Sequence, residues 1–182
     1  LKLDSRKEKR VAKLKKAVRH LKKIDDATSQ LIETVGECKF EKIGTPYYVL
    51  IRSVISQQLS LAAANSILSK VNQTFKAKKI PHPKTFQKAS AEKLKQCGIS
   101  FAKVETVKRI AIAYENKEIS DDFLHSLSDK DVMRILCNFK GVGPWTSEMT
   151  LIFGLDRWDH FSIGDLGLRK GIEKWYGIPR DD

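Results

Sequence analysis

Apolar residues recur every three or four positions along nearly the whole chain, and this spacing restricts the fold more than any other feature. Val11, Leu14, Val18, Leu21 and Ile24 form one stripe of a helix whose outer face is basic. A second, short helix is predicted to start at Asp25 or Asp26 and to stop at Gly36. Pro46 suits the first turn of the next helix, which carries Tyr47, Val49, Leu50, Val54 and Ile55. Ser60 is placed to cap "LAAANSILSKV", whose small and apolar residues predict a tightly buried helix. The segment "KKIPHPK" reads as a turn or loop, because a proline disfavours helix in the residue before it. Ser90, Ser100 and Ser128 precede helical patterns over 91–97, 101–115 and 129–138. Strand-like alternation is short and rare, so an all-α fold of nine or ten helices is expected.

With 182 residues, 41% of them hydrophobic, the chain is long enough to bury a core, as one domain or as two lobes sharing a cleft. Its formal charge of +12 points to an anionic partner, nucleic acid or a membrane surface. Residues 1–23 hold eleven Lys or Arg against Asp4 and Glu8 and so carry most of that charge. A solvated, lysine-rich helix face would produce the same sum. Cys38, Cys97 and Cys137 lie far apart and cannot all pair, which predicts a reduced, intracellular protein, nuclear in a eukaryote. No apolar run approaches the roughly 18 residues of a membrane span, and no signal-peptide pattern is visible. The start at Leu1 reads as a fragment or ordered portion of a longer protein.

Two stretches carry chemistry. In "NFKGVGPWTS" a helix runs into Gly141-Val142-Gly143 and a new one restarts with Pro144 at its first position. Glycines let the backbone approach an outside partner, and free amides at a helix start favour phosphate. Such a hairpin can hold a nucleic-acid backbone without reading sequence; an ordinary tight helix-helix turn has the same residues. Eighteen residues on, "HFSIGDLGLRKG" places a single carboxylate, Asp165, at a helix start, with Arg169 and Lys170 one turn later.

Together "FKGVGPWTSEM", "FSIGDLGLRKG" and the upstream "LIRSVISQQLSLAAANSI" resemble the HhH-GPD superfamily of DNA glycosylases, in particular its 3-methyladenine DNA glycosylase II branch and compact fungal alkylpurine members. The motifs stand in family order from about residue 10 to the end. The resemblance implies a single glycosylase module over 1–182, with a basic N-terminal helix at 1–23, the helix-hairpin-helix at 129–155, two helical lobes flanking a DNA-binding cleft, and closing helices missing after "WYGIPRDD".

It further implies roles for matching residues. Asp165 takes the place of the catalytic aspartate. Hairpin 140–146 would hold phosphates through the amides of Gly141, Gly143 and Thr146, and Lys140, standing where proline is usual, joins the DNA-binding set. Gln58 falls where relatives place a wedge that fills the gap left by an extruded nucleotide, with Ser60 beside it facing the minor groove. Trp145 and Met149 align with the base pocket, although an aromatic residue is familiar at the second position in some relatives. Tyr47 is a further pocket candidate, against an ordinary core role. The carbonyls of Cys137, Phe139 and Val142 would take a monovalent cation, Na⁺ or K⁺, and no other cofactor is expected.

The chemistry is coherent on its own terms. Acting on a base in duplex DNA requires extrusion of the nucleotide, and hence a plug, a phosphate grip and a pocket. Breaking an N-glycosidic bond develops oxocarbenium character that a nearby carboxylate stabilises. An alkylated purine already carries positive charge and leaves as a neutral base, so one carboxylate suffices, and an indole attracts the cationic base. Bifunctional relatives carry a lysine where Trp145 stands, and an indole cannot form a Schiff base. No cysteine follows Cys137, so no iron-sulfur cluster is expected. Asp156 and Asp159, flanking Trp158, read as solvated loop carboxylates, and His20, His82, His125 and His160 share no zinc spacing.

The expected function is therefore monofunctional excision of alkylated purines of the 3-methyladenine and 7-methylguanine type. The expected partner is double-stranded DNA bearing damaged bases or abasic sites, with no membrane and a monomeric protein. The rival is a helix-hairpin-helix damage-recognition protein with little or no catalysis.

Overall fold

The computed structural model describes residues 2–38 and 40–179, with side chains from residue 8 onward. The helices are α1 (Lys2–Ile24), α2 (Asp26–Val35), α3 (Pro46–Ser56), α4 (Leu61–Thr74), α5 (Pro83–Lys88), α6 (Ala91–Gln96), α7 (Phe101–Glu115), α8 (Asp121–Ser126), α9 (Asp129–Cys137), α10 (Pro144–Met149) and α11 (Leu166–Tyr176). A π-helical turn, Thr150–Gly154, continues α10. No strand occurs among the described residues, so the all-α expectation holds.

Eleven α-helices occur among the described residues, against the nine or ten expected; the additional ones are α5 and α8, of six residues each. "KKIPHPK" is only partly a loop. Pro83 does force His82 into an extended conformation (φ −56°, ψ 148°), but that conformation makes His82 an N-cap, its Nδ1 accepting the Lys84 amide at 3.3 Å. Side-chain caps at Asp25, Thr45, Ser60, Ser90, Ser120 and Ser128 set most of the other starts. Ser100 occupies a cap position without the side-chain bond.

The chain divides into two compact units, Lys42–Gly164 and the described residues flanking it on both sides. In the central unit α3 is the hub. Val49, Leu50, Ile51, Val54 and Ile55 are each at most 2% exposed, as expected of a helix apolar on nearly every side. Around it gather Phe86 from α5, Leu94 from α6, Val104, Val107 and Ile110 from α7, Leu124 from α8, Val132 and Leu136 from α9, and Leu151 from the π turn. The π turn lies so close to α3 that a Cβ on Gly154 would stand 2.9 Å from the Pro46 Cα. One expectation fails here: α4 is not tightly buried. Only Ala64, Leu68 and Val71 are buried, at i, i+4 and i+7, while Leu61 is 71% exposed and Ala62 and Ala63 face outward. Small size marked them as core; period assigns them to the surface.

The outer unit comprises α1, α2 and α11. No residue of α2 or α11 is buried. A polar knot ties them instead: the Tyr176 hydroxyl donates to Asp25 Oδ2 at 2.6 Å, and Asp25 also accepts the Thr28 amide at 2.6 Å. Val11, Leu14, Val18 and Ile32 line an apolar groove of about 650 Å³.

Candidate DNA-binding and catalytic site

The hairpin follows from the end of α9. Phe139 donates its amide to the Leu136 carbonyl at 3.1 Å, and Val142 donates to that of Phe139 at 2.9 Å, turning the chain back. Gly141 sits at φ +91°, and a Cβ there would stand 2.0 Å from Thr106 Oγ1, so conformation and space both demand glycine. Gly143 differs. It is the extended N-cap of α10 (φ −105°, ψ −179°), and a Cβ would meet nothing within 4 Å. Its glycine leaves the outward side of the backbone bare. Pro144 takes the first helical position, as expected.

Gly141 and Lys140 are exposed, but Thr146 is only 1% exposed and its hydroxyl is engaged inside the protein. Of the three amides expected to meet phosphate, therefore, those of the two glycines belong to accessible residues and that of Thr146 does not. Trp145 and Met149, four apart on one face of α10, are both half-buried. Tyr47 lies at the far end of α3 from the turn that bears Gln58. It is 9% exposed, donates its hydroxyl to the Pro81 carbonyl at 3.1 Å and packs edge-on against Tyr114 with ring centroids 4.8 Å apart. Burial, then the Glu115 and Asp121 carboxylates, push its phenol well above the ordinary value. These are the partners of a core aromatic, and none of them is a hairpin residue.

The turn between α3 and α4 holds the second group. Gln58 is exposed and takes φ +56°, a left-handed conformation uncommon for residues with a side chain. Ser60 Oγ caps α4 by accepting the Ala63 amide at 3.2 Å, leaving its own O–H as an outward donor. Gln57, which sequence reasoning did not single out, joins this turn to the hairpin. Its Nε2 donates to the Gly141 carbonyl at 3.0 Å and to Thr146 Oγ1 at 2.8 Å. From α7, Lys103 donates to the carbonyls of Ile55 (2.9 Å) and Gln57 (2.6 Å), and burial lowers its pKa from the ordinary lysine value. The Thr106 hydroxyl is shared between the carbonyls of Lys140 (3.0 Å) and Ala102 (3.1 Å). The doubled glutamine of "SQQLS" was the one local signal for Gln57; nothing near Lys103 or Thr106 in sequence announces a role.

Asp165 belongs to the outer unit, where it is the N-cap of α11 and accepts the Leu168 amide at 2.9 Å. It is half-buried, and a Cβ on Gly167 would come within 3.0 Å of its Oδ1. The helix start read from "GDLG" is thus correct. Asp156 is not the solvated carboxylate expected: half-buried at φ +62°, it accepts the Trp158 indole N–H at 2.6 Å. Upstream of Asp165, the buried Ser162 donates to Glu148 of α10, whose carboxylate also lies 3.8 Å from His160 Nε2. Sequence reasoning singles out neither Ser162 nor Glu148. The carbonyls of Phe139 and Val142 lie in the turn itself; that of Phe139 already accepts one hydrogen bond and retains one lone pair.

A helix-hairpin-helix with a glycine turn, followed by an aspartate at the head of the next helix, defines a class of DNA-repair proteins. The chain belongs to the HhH-GPD superfamily of base excision DNA repair proteins, which residues 51–182 match. Among its relatives is DNA-3-methyladenine glycosylase 1 of Schizosaccharomyces pombe, 34% identical over 179 residues, covering 96% of this chain and 78% of that protein. Alkylbase DNA glycosidase-like protein mag2 of the same yeast is 35% identical over 168 residues, covering 90% and 79%. The fold matches the solved structure of S. pombe 3-methyladenine DNA glycosylase (Mag1) in complex with abasic DNA, with a TM-score of 0.84 at 33% identity over 90% of this chain and 82% of that one.

Proposed function

We propose that this protein is a monofunctional DNA glycosylase that removes alkylated purines. The observation carrying this reading is a chain whose backbone follows that of Mag1 in complex with abasic DNA, and which has both a carboxylate at Asp165 and an indole, not an amine, at Trp145. The amides of Gly141 and Gly143 hold phosphates near the lesion, and Lys140 adds charge. Gln58 enters the stack as the nucleotide leaves it, offsetting an extrusion cost of a few kcal/mol. The Trp145 face and Met149 receive the cationic base. Asp165 stabilises the oxocarbenium character that develops on the sugar as the glycosidic bond lengthens, and it orients the water that completes hydrolysis. With no amine at position 145 the product is an intact abasic site. A monovalent cation on the carbonyls of Cys137, Phe139 and Val142 would stiffen the hairpin turn.

Methylated duplex DNA incubated with the wild type and with Asp165→Asn tests this, with released bases identified. Release of 3-methyladenine or 7-methylguanine by the wild type alone supports it. Tight binding to abasic DNA with no release by either protein would favour a damage-recognition protein, a reading to which the likeness to a glycosidase-like relative lends weight. A borohydride-trapped covalent complex would overturn monofunctionality.

A further inference from the structure

Two turns of the central unit, one bearing Gln58 and the other the glycine hairpin, are joined by side-chain hydrogen bonds from Gln57, Lys103 and Thr106. A glutamine amide offers two N–H donors, and Gln57 directs Nε2 at two hairpin acceptors, the Gly141 carbonyl (3.0 Å) and Thr146 Oγ1 (2.8 Å). Its own carbonyl and that of Ile55, among the last of α3, accept Lys103 Nζ in place of a helical partner. One turn further along α7, Thr106 reaches the Lys140 carbonyl. Helix α7 therefore anchors both turns, and Gln57 closes the triangle between them.

This arrangement accounts for the backbone of Gln58. A left-handed residue with a side chain persists only where its surroundings over-determine it. Here the preceding carbonyl is held by Lys103, the preceding side chain is held by the hairpin, and the Leu59 amide is held by the Ser56 carbonyl at 3.2 Å. The backbone on either side of Gln58 is thereby tied to α7 and to the hairpin.

We propose that Gln57 is a positioning residue that sets the register between plug and phosphate grip, and thereby the preference of this protein for an extruded or missing nucleotide over intact duplex. The proposal rests on reading Gln58 as the plug and 140–146 as the grip; it does not require catalysis. Leucine at position 57 fills the same space without donors, and glutamate would set an anionic oxygen against the Gly141 carbonyl.

The test compares affinities for a duplex carrying a tetrahydrofuran abasic-site analogue and for the same duplex intact, with thermal unfolding of each variant. Gln57→Leu is expected to lower the preference about tenfold and Thr146→Val, which removes one acceptor at constant volume, about threefold, as befits two hydrogen bonds and one. Binding to intact duplex, dominated by phosphate contacts, should stay within about twofold. The double variant Gln57→Leu/Gln58→Ala should discriminate no worse than Gln58→Ala alone, because a plug already removed has no register to lose. Independent, multiplicative losses would overturn the proposal, as would an unchanged preference in folded Gln57→Leu or a wild type with no preference. Should Gln57→Leu fail to fold, Thr146→Val and Lys103→Met decide in its place. A wild type that discriminates yet releases no base would refute the catalytic reading and leave the positioning role standing.

Discussion

The two units reach order by different means. Among the described residues, every member of the hydrophobic core comes from the central unit, where α3 is sealed on almost all sides. In the outer unit Val11, Leu21, Ile24, Leu166 and Leu168 are all more than 40% exposed, and a tyrosine, an aspartate and a threonine supply the ties. Gln58 and the hairpin, proposed as plug and grip, stand on the packed unit, and Asp165, the candidate catalytic carboxylate, on the polar one. On that proposal, the geometry that would grip DNA rests on buried apolar packing, whereas a carboxylate acting through charge rests on polar ties.

The contrast can be broken first at its largest expected effect. Phe86→Ala, at a fully buried position, should cost about 3–5 kcal/mol of stability, whereas Val18→Ala in the outer unit should cost under about 1 kcal/mol. Urea unfolding of both variants checks this, and comparable losses would erase the distinction. Next comes Asp165, where capping and catalysis separate. Asparagine caps as well as aspartate but has no charge, so Asp165→Asn should lose roughly 100- to 1000-fold in base release, about 3–4 kcal/mol, with the melting curve unchanged. Asp165→Ala should add a helix-stability loss of about 1 kcal/mol.

The two hairpin glycines sharpen the comparison within the packed unit. Gly141→Ala collides with Thr106 Oγ1 at positive φ and should destabilise by about 1–3 kcal/mol. Gly143→Ala meets no protein atom and should leave stability within about 0.5 kcal/mol while weakening DNA binding, since its methyl occupies the outward face. The smallest effect belongs to acid. Hydrogen bonds from Thr28 and Tyr176 hold the Asp25 carboxyl below its ordinary 3.8. A depressed carboxylate contributes stability that is fully present above pH 3.8 and is lost as pH falls through the lower folded value. Far-UV and tyrosine signals should therefore show α2 and α11 loosening below that pH before the central unit, and Tyr176→Phe should blunt the shift.

Features that are local in sequence were readable from it. Caps at Asp25, Ser60 and Ser128, proline at N1 in α3 and α10, and the glycine hairpin each depend on residues a few positions apart. The exposed face of α4 was misread because alanines and leucine were judged by size, although their period already placed them outside. The six-residue helices α5 and α8 show no period, whereas α6 and α10, equally short, are legible from Ser90 at a cap and Pro144 at a first position. The brace of Gln57, Lys103 and Thr106 was illegible for a deeper reason: its partners lie 84 and 46 residues apart in the Gln57–Gly141 and Lys103–Gln57 pairs, and donors this general acquire meaning only from the acceptors the fold brings to them.

The bond from Tyr176 to Asp25 spans 151 residues. On a ribosome adding 5–20 residues per second, α2 would wait roughly 8–30 s for its partner, while the central unit, contiguous in the chain, can consolidate meanwhile. On a nascent polypeptide the central unit, with its glycine hairpin, would thus be ordered before α11, which closes the polar knot, has been made.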